Sequence, residues 1–171
     1  MTIIDGLLAE LEQEAATTRR VLERIPQEHL SWRPHPKSMS LGQLALHVAL
    51  VPGLVAENAA LDIASPNSFI QPEAATAAEL VPALAESVAK AKRALGTYDD
   101  AKMTAIWRLQ KDGRDVLAMP RVAFVRAIML NHWYHHRGQL LVYLRMHNVP
   151  LPSVYGPTAD ENPFAVAMTA Q

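Results

Sequence analysis

Apolar residues recur at three- and four-residue steps along four stretches of the chain, the period of helices that bury one face. From Thr2 to Ile25 they fall at Ile4, Leu7, Leu8, Leu11, Ala15, Leu22 and Ile25, and Pro26 stops the pattern, which predicts a long amphipathic first helix. Pro26, Pro34 and Pro36 then each remove a backbone donor and push their predecessors out of helical conformation, so residues 26–40 read as loop. Ser40 and Gln43 form a capping box, and Leu41, Leu44, His47, Val48, Val51 and Val55 make the inner stripe of a second helix that should end before Pro66. Residues 65–75 read as loop. Thr76 and Glu79 form a second capping box, opening a third helix with Leu80, Leu84, Val88 and Leu95 on one side and Gly96 at its close. Pro120 suits the first turn of a fourth helix running to about His147, with Phe124, Ile128, Met129, His132, His136, Leu140, Tyr143 and Leu144 facing inward.

Between Met103 and Met119 the pattern changes. Ile106, Trp107, Leu109, Val116 and Leu117 flank Asp112-Gly113, a dipeptide favoured in tight hairpin turns, so a short hairpin or an extended excursion is expected before the last helix. Four long amphipathic helices without a convincing set of strands point to an all-α fold, a four-helix bundle with long connections. At 171 residues, 50% of them hydrophobic and 19% charged, the chain suits a single domain over 1–171, with the bundle at about 1–147 and a proline-rich tail at 148–171. Ala45, Ala49, Ala59, Ala60 and Ala85 exceed what one inner stripe requires, and small side chains let helices pack closely, so a homodimer is expected.

Composition then narrows the chemistry. Lys and Arg total 16 against 17 Asp and Glu, so the broad basic footprint of a nucleic-acid binder is missing. There is no cysteine, which excludes disulfides, thiolate metal sites, iron–sulfur clusters and a cysteine nucleophile. The glycines do not form a nucleotide loop, and no serine stands in a G-x-S-x-G elbow. The N-terminus lacks a basic segment and meets Asp5 and Glu10 early, so a secretory signal is not expected. The longest uncharged stretch, Ser38 to Ala56, is interrupted by Gln43, His47 and Pro52 and reads as a buried helix. A cytoplasmic protein without membrane or nucleic-acid partners is the expectation.

Seven histidines carry the remaining signal. His132 and His136 share one helix face a turn apart, and His47 lies on the inner stripe of the second helix, so the three can converge across the core. Three imidazoles from two helices suit zinc, nickel or another borderline divalent ion with an open coordination position. The plainer alternative is three hydrogen-bonded core histidines. That alternative leaves several ring nitrogens unsatisfied, at about 1–3 kcal/mol each. His135 points elsewhere, and His29, His35 and His147 lie in or beside loops, where solvation is expected. Position 133 is Trp133, so the H-E-x-x-H protease motif is absent, and the Glu-x-x-His pairs of di-iron bundles are absent too.

These residues carry a specific resemblance. The run Leu30-Ser31-Trp32-Arg33-Pro34, then Ser40 to His47, then His132-Trp133-Tyr134-His135-His136-Arg137-Gly138-Gln139 and Tyr155-Gly156-Pro157 resembles the DinB/YfiT-like superfamily over nearly the whole chain. The resemblance implies a four-helix bundle whose metal ligands are His47, His132 and His136. It also implies a choice of activities, since the superfamily includes thiol-dependent enzymes using mycothiol, bacillithiol or glutathione beside members without an established reaction.

A metal ion stabilises an anion, so either water or a low-molecular-weight thiol becomes a nucleophile near neutral pH. With no cysteine in the chain, thiol chemistry requires an external thiol as cosubstrate. A metal-dependent enzyme acting on a small molecule, of the thiol S-transferase type, is the first expectation; a hydrolase and a non-catalytic metal-binding or stress-associated bundle are the alternatives. Hydrolysis needs a proton shuttle, and His135, Tyr134, Glu57 and the Asp160-Glu161 pair are the candidates, none placed at the site by spacing. Asp160 and Glu161 read as solvated tail residues. Gln43 and Gln139 can each orient an imidazole or cap and solvate a helix. Trp32 can wall a pocket or anchor its loop.

Overall fold

The computed structural model describes residues 2–66 and 72–165. In chain order they form α1 (Ile3–Leu22), a 3-10 turn (Gln27–His29), α2 (Leu41–Ala60), β1 (Ile63–Ala64), a second 3-10 turn (Ala77–Glu79), α3 (Leu80–Leu95), α4 (Asp100–Thr104), β2 (Ile106–Lys111), β3 (Arg114–Pro120), α5 (Arg121–Phe124), a π-helical segment (Val125–Asn131) and α6 (His132–Met146). The last three follow one another without a break, so four long helical runs carry the core. Both capping boxes form: Gln43 accepts the Ser40 N–H at 2.9 Å, and Glu79 accepts that of Thr76 at 2.9 Å. Thr2 and Asp5 cap α1 in the same way, a pair that periodicity alone did not single out. The predicted loop at 65–75 falls partly on residues 67–71, outside the described residues, as does the tail beyond 165.

The all-α expectation is corrected by a small sheet, making the protein mostly helical with an attached β element. Asp112 and Gly113 both take positive φ, 51° and 73°, as a two-residue hairpin turn requires, and β2 and β3 pair antiparallel on either side. Of the two expectations for this stretch, the hairpin holds. The two-residue β1 adds to β2 in parallel, Ile63 opposite Arg108, giving the strand order β1-β2-β3. On the inner face Trp107 stacks on Phe124 with centroids 3.7 Å apart, which fixes the sheet against the start of the last helical run.

Helix α2 is the centre of the packing, and Pro52 sets how it is packed. A proline in a helix interior cannot bond the carbonyl four residues back and pushes that carbonyl outward. Here the carbonyl belongs to Val48, and the Trp133 indole Nε1 donates to it at 2.7 Å. The Ser87 hydroxyl of α3 accepts the Gly53 N–H at 2.8 Å and donates to the Leu50 carbonyl at 3.0 Å. A Cβ on Gly53 would lie 2.9 Å from the Ser87 carbonyl oxygen, so glycine is required where α2 and α3 touch. The end of α2 is closed similarly. Its last carbonyls lack helical partners, and Trp107 Nε1 donates to Asn58 at 3.0 Å while the buried Arg121 donates to Ala59 at 2.7 Å and to the Asp62 carboxylate at 2.7 Å.

A second buried arginine ties α1, α6 and the tail together. Arg137 pairs with the buried Glu14 at 2.6 Å, donates to the Thr18 hydroxyl at 3.0 Å and donates to the Tyr155 hydroxyl at 2.6 Å, which in turn donates to Glu14 at 3.1 Å. Ala45, Ala49 and Ala59 are fully buried within this one chain. The surplus of small residues is thus spent mainly on its own core, and only Ala60 and Ala85 are left exposed to argue for a second copy.

The α2–α6 contact yields a test. Trp133→Phe strands the Val48 carbonyl in the core, so urea unfolding should show a loss of about 1–3 kcal/mol. Pro52→Ala restores a backbone donor for that carbonyl and should recover part of the loss in the Trp133→Phe background while recovering nothing in the parent chain. A strictly additive double-mutant cycle contradicts the assignment.

Candidate metal centre

The last helical run explains where His132 and His136 sit. A π turn takes more residues than an α turn, so it rotates everything after it about the helix axis. Val125 and Leu130, five positions apart, are both fully buried, and beyond the π segment the deepest positions are Trp133, Arg137, Leu140 and Leu144. His132 and His136, predicted on the deepest stripe, instead flank it and are half-buried at its edge, as are Ile128 and Tyr143. His47 is 9% exposed on α2, one residue before the carbonyl that holds Trp133.

The predicted convergence is present. The ligand atoms of His47, His132 and His136 lie within 4.8 Å of one another, and no further acidic or histidine side chain joins them among the described residues. Ring centroids are 4.4 Å apart for His132 and His136, 4.5 Å for His47 and His136, and 5.3 Å for His47 and His132. The Nε2 atoms of His132 and His136 are only 2.8 Å apart. Two imidazole lone pairs cannot face each other at that distance without a proton or a cation to bridge them. The Nε2 of His47 and the Nδ1 of His132 are buried without hydrogen-bond partners. A divalent cation fits these donors, because it removes both the repulsion and the unpaired His47 nitrogen while using one nitrogen of each ring.

Electrostatics keep the three rings in the ligating form. Burial pushes His47 down to about 4, and the neighbouring His136 and His132 charges act in the same direction. Burial likewise lowers His132 and His136. The Ile128 backbone opposes this for His132 but stops short of a hydrogen bond to its Nδ1. On the outer side, Gln139 lies between two rings, its Oε1 2.8 Å from His136 Nδ1 and its Nε2 3.0 Å from His135 Nε2. Gln43, by contrast, is engaged in its capping box, leaving Gln139 as the glutamine beside an imidazole.

The remaining sequence candidates are placed away from the three rings or already engaged. Tyr134 donates its hydroxyl to Glu10 at 2.8 Å, and burial with that acceptor drives its pKa upward. Glu57 pairs with Lys90 at 3.4 Å. Asp160 and Glu161 are tail anchors and not free tail charges, paired with Arg145 and Arg20 respectively. His135 is exposed with its ring centroid 5.0 Å from that of His136. His29 and His147 are not simply solvated: their rings stack at 4.0 Å, and Trp32 meets His147 edge-on at 4.4 Å and Tyr143 at 5.5 Å. Trp32 therefore anchors its loop to the end of α6. Sequence reading missed the π segment and the two buried arginines; the mid-helix Pro52 was the available signal that α2 needed an outside donor.

Comparison with known proteins gives the family of the chain. The chain is 25% identical over 167 residues to the uncharacterized protein YrdA of Bacillus subtilis (strain 168), covering 92% of this chain and 91% of that one. It is similar to the crystal structure of a DinB-like protein from Bacillus cereus ATCC 10987, with a TM-score of 0.70, 25% identity and coverage of 88% of this chain and 97% of that one. The fold is also that of YjoA, a DinB-like protein of Bacillus subtilis, with a TM-score of 0.69, 23% identity and the same coverage. With residues 2–163 matching the family as a whole, the chain belongs to the DinB family.

Proposed function

We propose that His47, His132 and His136 hold one divalent ion, zinc or nickel, and that the protein transfers an external low-molecular-weight thiol onto a small electrophilic molecule. The observation that carries this reading is the buried, unpartnered His47 Nε2 beside the close Nε2 pair of His132 and His136. Bound there, the ion supplies a positive charge that lowers the pKa of a thiol or a water. The protein's own part is to present three neutral nitrogens, which leave that charge unreduced, and to keep them neutral through burial. The thiol loses its proton to solvent, and the sulfur–carbon bond forms at the electrophile as its leaving group departs with the electron pair.

What favours thiol transfer over hydrolysis is the state of the proton shuttles. Tyr134, Glu57, Asp160 and Glu161 are all committed to other partners, and His135 alone is exposed next to the group. A thiol near its own pKa needs less help losing a proton than water does. No described helix is long and apolar enough to cross a membrane, and the cytoplasm, where thiols are kept reduced, is the compartment this reading requires.

Three measurements test it. Tag-free protein should carry about one equivalent of metal by elemental analysis, and single His47→Ala, His132→Ala and His136→Ala variants should lose it while His135→Ala keeps it; full retention in all three variants rejects the ligand set. Titrating the cobalt-loaded chain with glutathione, bacillithiol or mycothiol should produce a sulfur-to-metal charge-transfer band that is absent in His136→Ala. No band with any of them leaves hydrolysis or metal binding without turnover.

The third measurement is on the chelator-stripped chain and follows from His47. Its folded pKa of about 4 lies below the ordinary 6.5, so unfolding takes up a proton between those values. The stability from the neutral ring is complete above 6.5 and is lost as pH falls toward 4, by about 3 kcal/mol for this one group. Urea midpoints should fall across that window and level off below it, with a smaller fall in His47→Gln. An equal fall in both proteins shows that His47 is not the titrating group.

A further inference from the structure

We infer that Gln139 is a positioning residue that selects the tautomer of His136, and that it is itself held in orientation by His135. The inference rests on the metal-centre reading for its purpose, though not for its geometry. An α-helical sequence places residues three and four apart side by side, so Gln139 can reach both His136 and His135 from one rotamer. It does so with opposite ends of its amide: Oε1 lies 2.8 Å from His136 Nδ1 and Nε2 lies 3.0 Å from His135 Nε2.

The chemistry of those ends is directional. An amide oxygen only accepts and an amide nitrogen only donates. With Oε1 toward His136, the His136 proton must be on Nδ1, which leaves its Nε2 as a lone pair aimed at His132 Nε2, 2.8 Å away, where a cation, or in the metal-free chain the His132 proton, meets it. With Nε2 toward His135, that ring must offer Nε2 as an acceptor. Turning the amide over would put the His136 proton on Nε2, inside the cluster, where it would donate to His132 and occupy the place a cation would take. The orientation of an amide is assigned from its partners, and His135 supports this one when its own proton is on Nδ1, which leaves Nε2 to accept. His135 thus acts on the site through Gln139, beside the edge-on contact its own ring makes with His136. Such partners of a ligating histidine typically change metal affinity by about 10–100-fold when removed. Gln139 and His135 are both exposed, so water competes for their bonds and the low end of that range applies.

Two readouts test this separately from the metal reading. In the metal-free chain, long-range proton–nitrogen NMR should show His136 with its proton on Nδ1, shifting toward the Nε2 form in Gln139→Ala and staying on Nδ1 in Gln139→Glu, whose carboxylate still accepts. Both substitutions are on an exposed helix face, and unchanged amide dispersion confirms that the fold is intact. Competition with a chelator should show the cobalt dissociation constant rising about tenfold in Gln139→Ala, less in His135→Ala, and not at all in Gln139→Glu. If the parent chain binds no cobalt, the metal reading fails while the NMR result still decides the tautomer. If His136 has the same tautomer in all the variants, or if Gln139→Glu weakens cobalt as much as Gln139→Ala, the positioning role is overturned.

Discussion

Pro52 leaves α2 with a carbonyl, that of Val48, which no amide of its own helix can reach, and the packing of the last helix against α2 is organised around supplying it. The donor is the indole of Trp133, at 2.7 Å. Because Val48 follows His47 and Trp133 follows His132, this one hydrogen bond also sets the register between the two halves of the histidine cluster. A buried carbonyl left unpaired costs about 1–3 kcal/mol, so sliding α6 along α2 is opposed by a polar penalty in addition to the loss of packing. The same device recurs at the end of α2, where Trp107 and Arg121 supply its last carbonyls. A helix with such an apolar surface could pack in several registers; its few exposed main-chain acceptors choose one.

Much of this was legible in the sequence, for local reasons. Capping boxes at Ser40 and Thr76, the Pro26 stop and the Asp112-Gly113 turn act within a few residues, and each has its predicted role. The histidine cluster was legible because a separation of four on a helix fixes relative direction, leaving only the meeting with His47 to be supplied by tertiary packing. What escaped was long-range or degenerate. The stretch Val125–Asn131 has no composition that separates a π turn from an α turn, so the rotation that moves His132 and His136 to the edge of the core was hidden. Strand β1 is two residues long, too short to show any alternation. Arg121 and Arg137 carry no local signal of burial, because their partners Asp62 and Glu14 are brought to them only by the fold.

Burying Arg137 and Glu14 is costly in desolvation, and such a pair adds little net stability by itself. Its value is geometric. Arg137 is one residue after His136 and holds α6 to α1 through Glu14 and Thr18, while Trp133 holds the same helix to α2. The cluster is thus held from both sides of its helix by polar contacts with strict directions, and the half-exposed imidazoles can keep fixed positions at the rim of the core.

Tyr155 adds an order of events. Its hydroxyl bridges Arg137 and Glu14, and Glu161, six residues further along the tail, grips Arg20 of α1. On a ribosome these residues emerge after α1 to α6. Until they do, the nascent bundle has an arginine and a glutamate in its interior with one partner missing, and the tail's own hold on α1 through Arg20 is not yet made. Arrival of the segment from Tyr155 to Glu161, more than the formation of any of these helices, is therefore the step that completes this buried group.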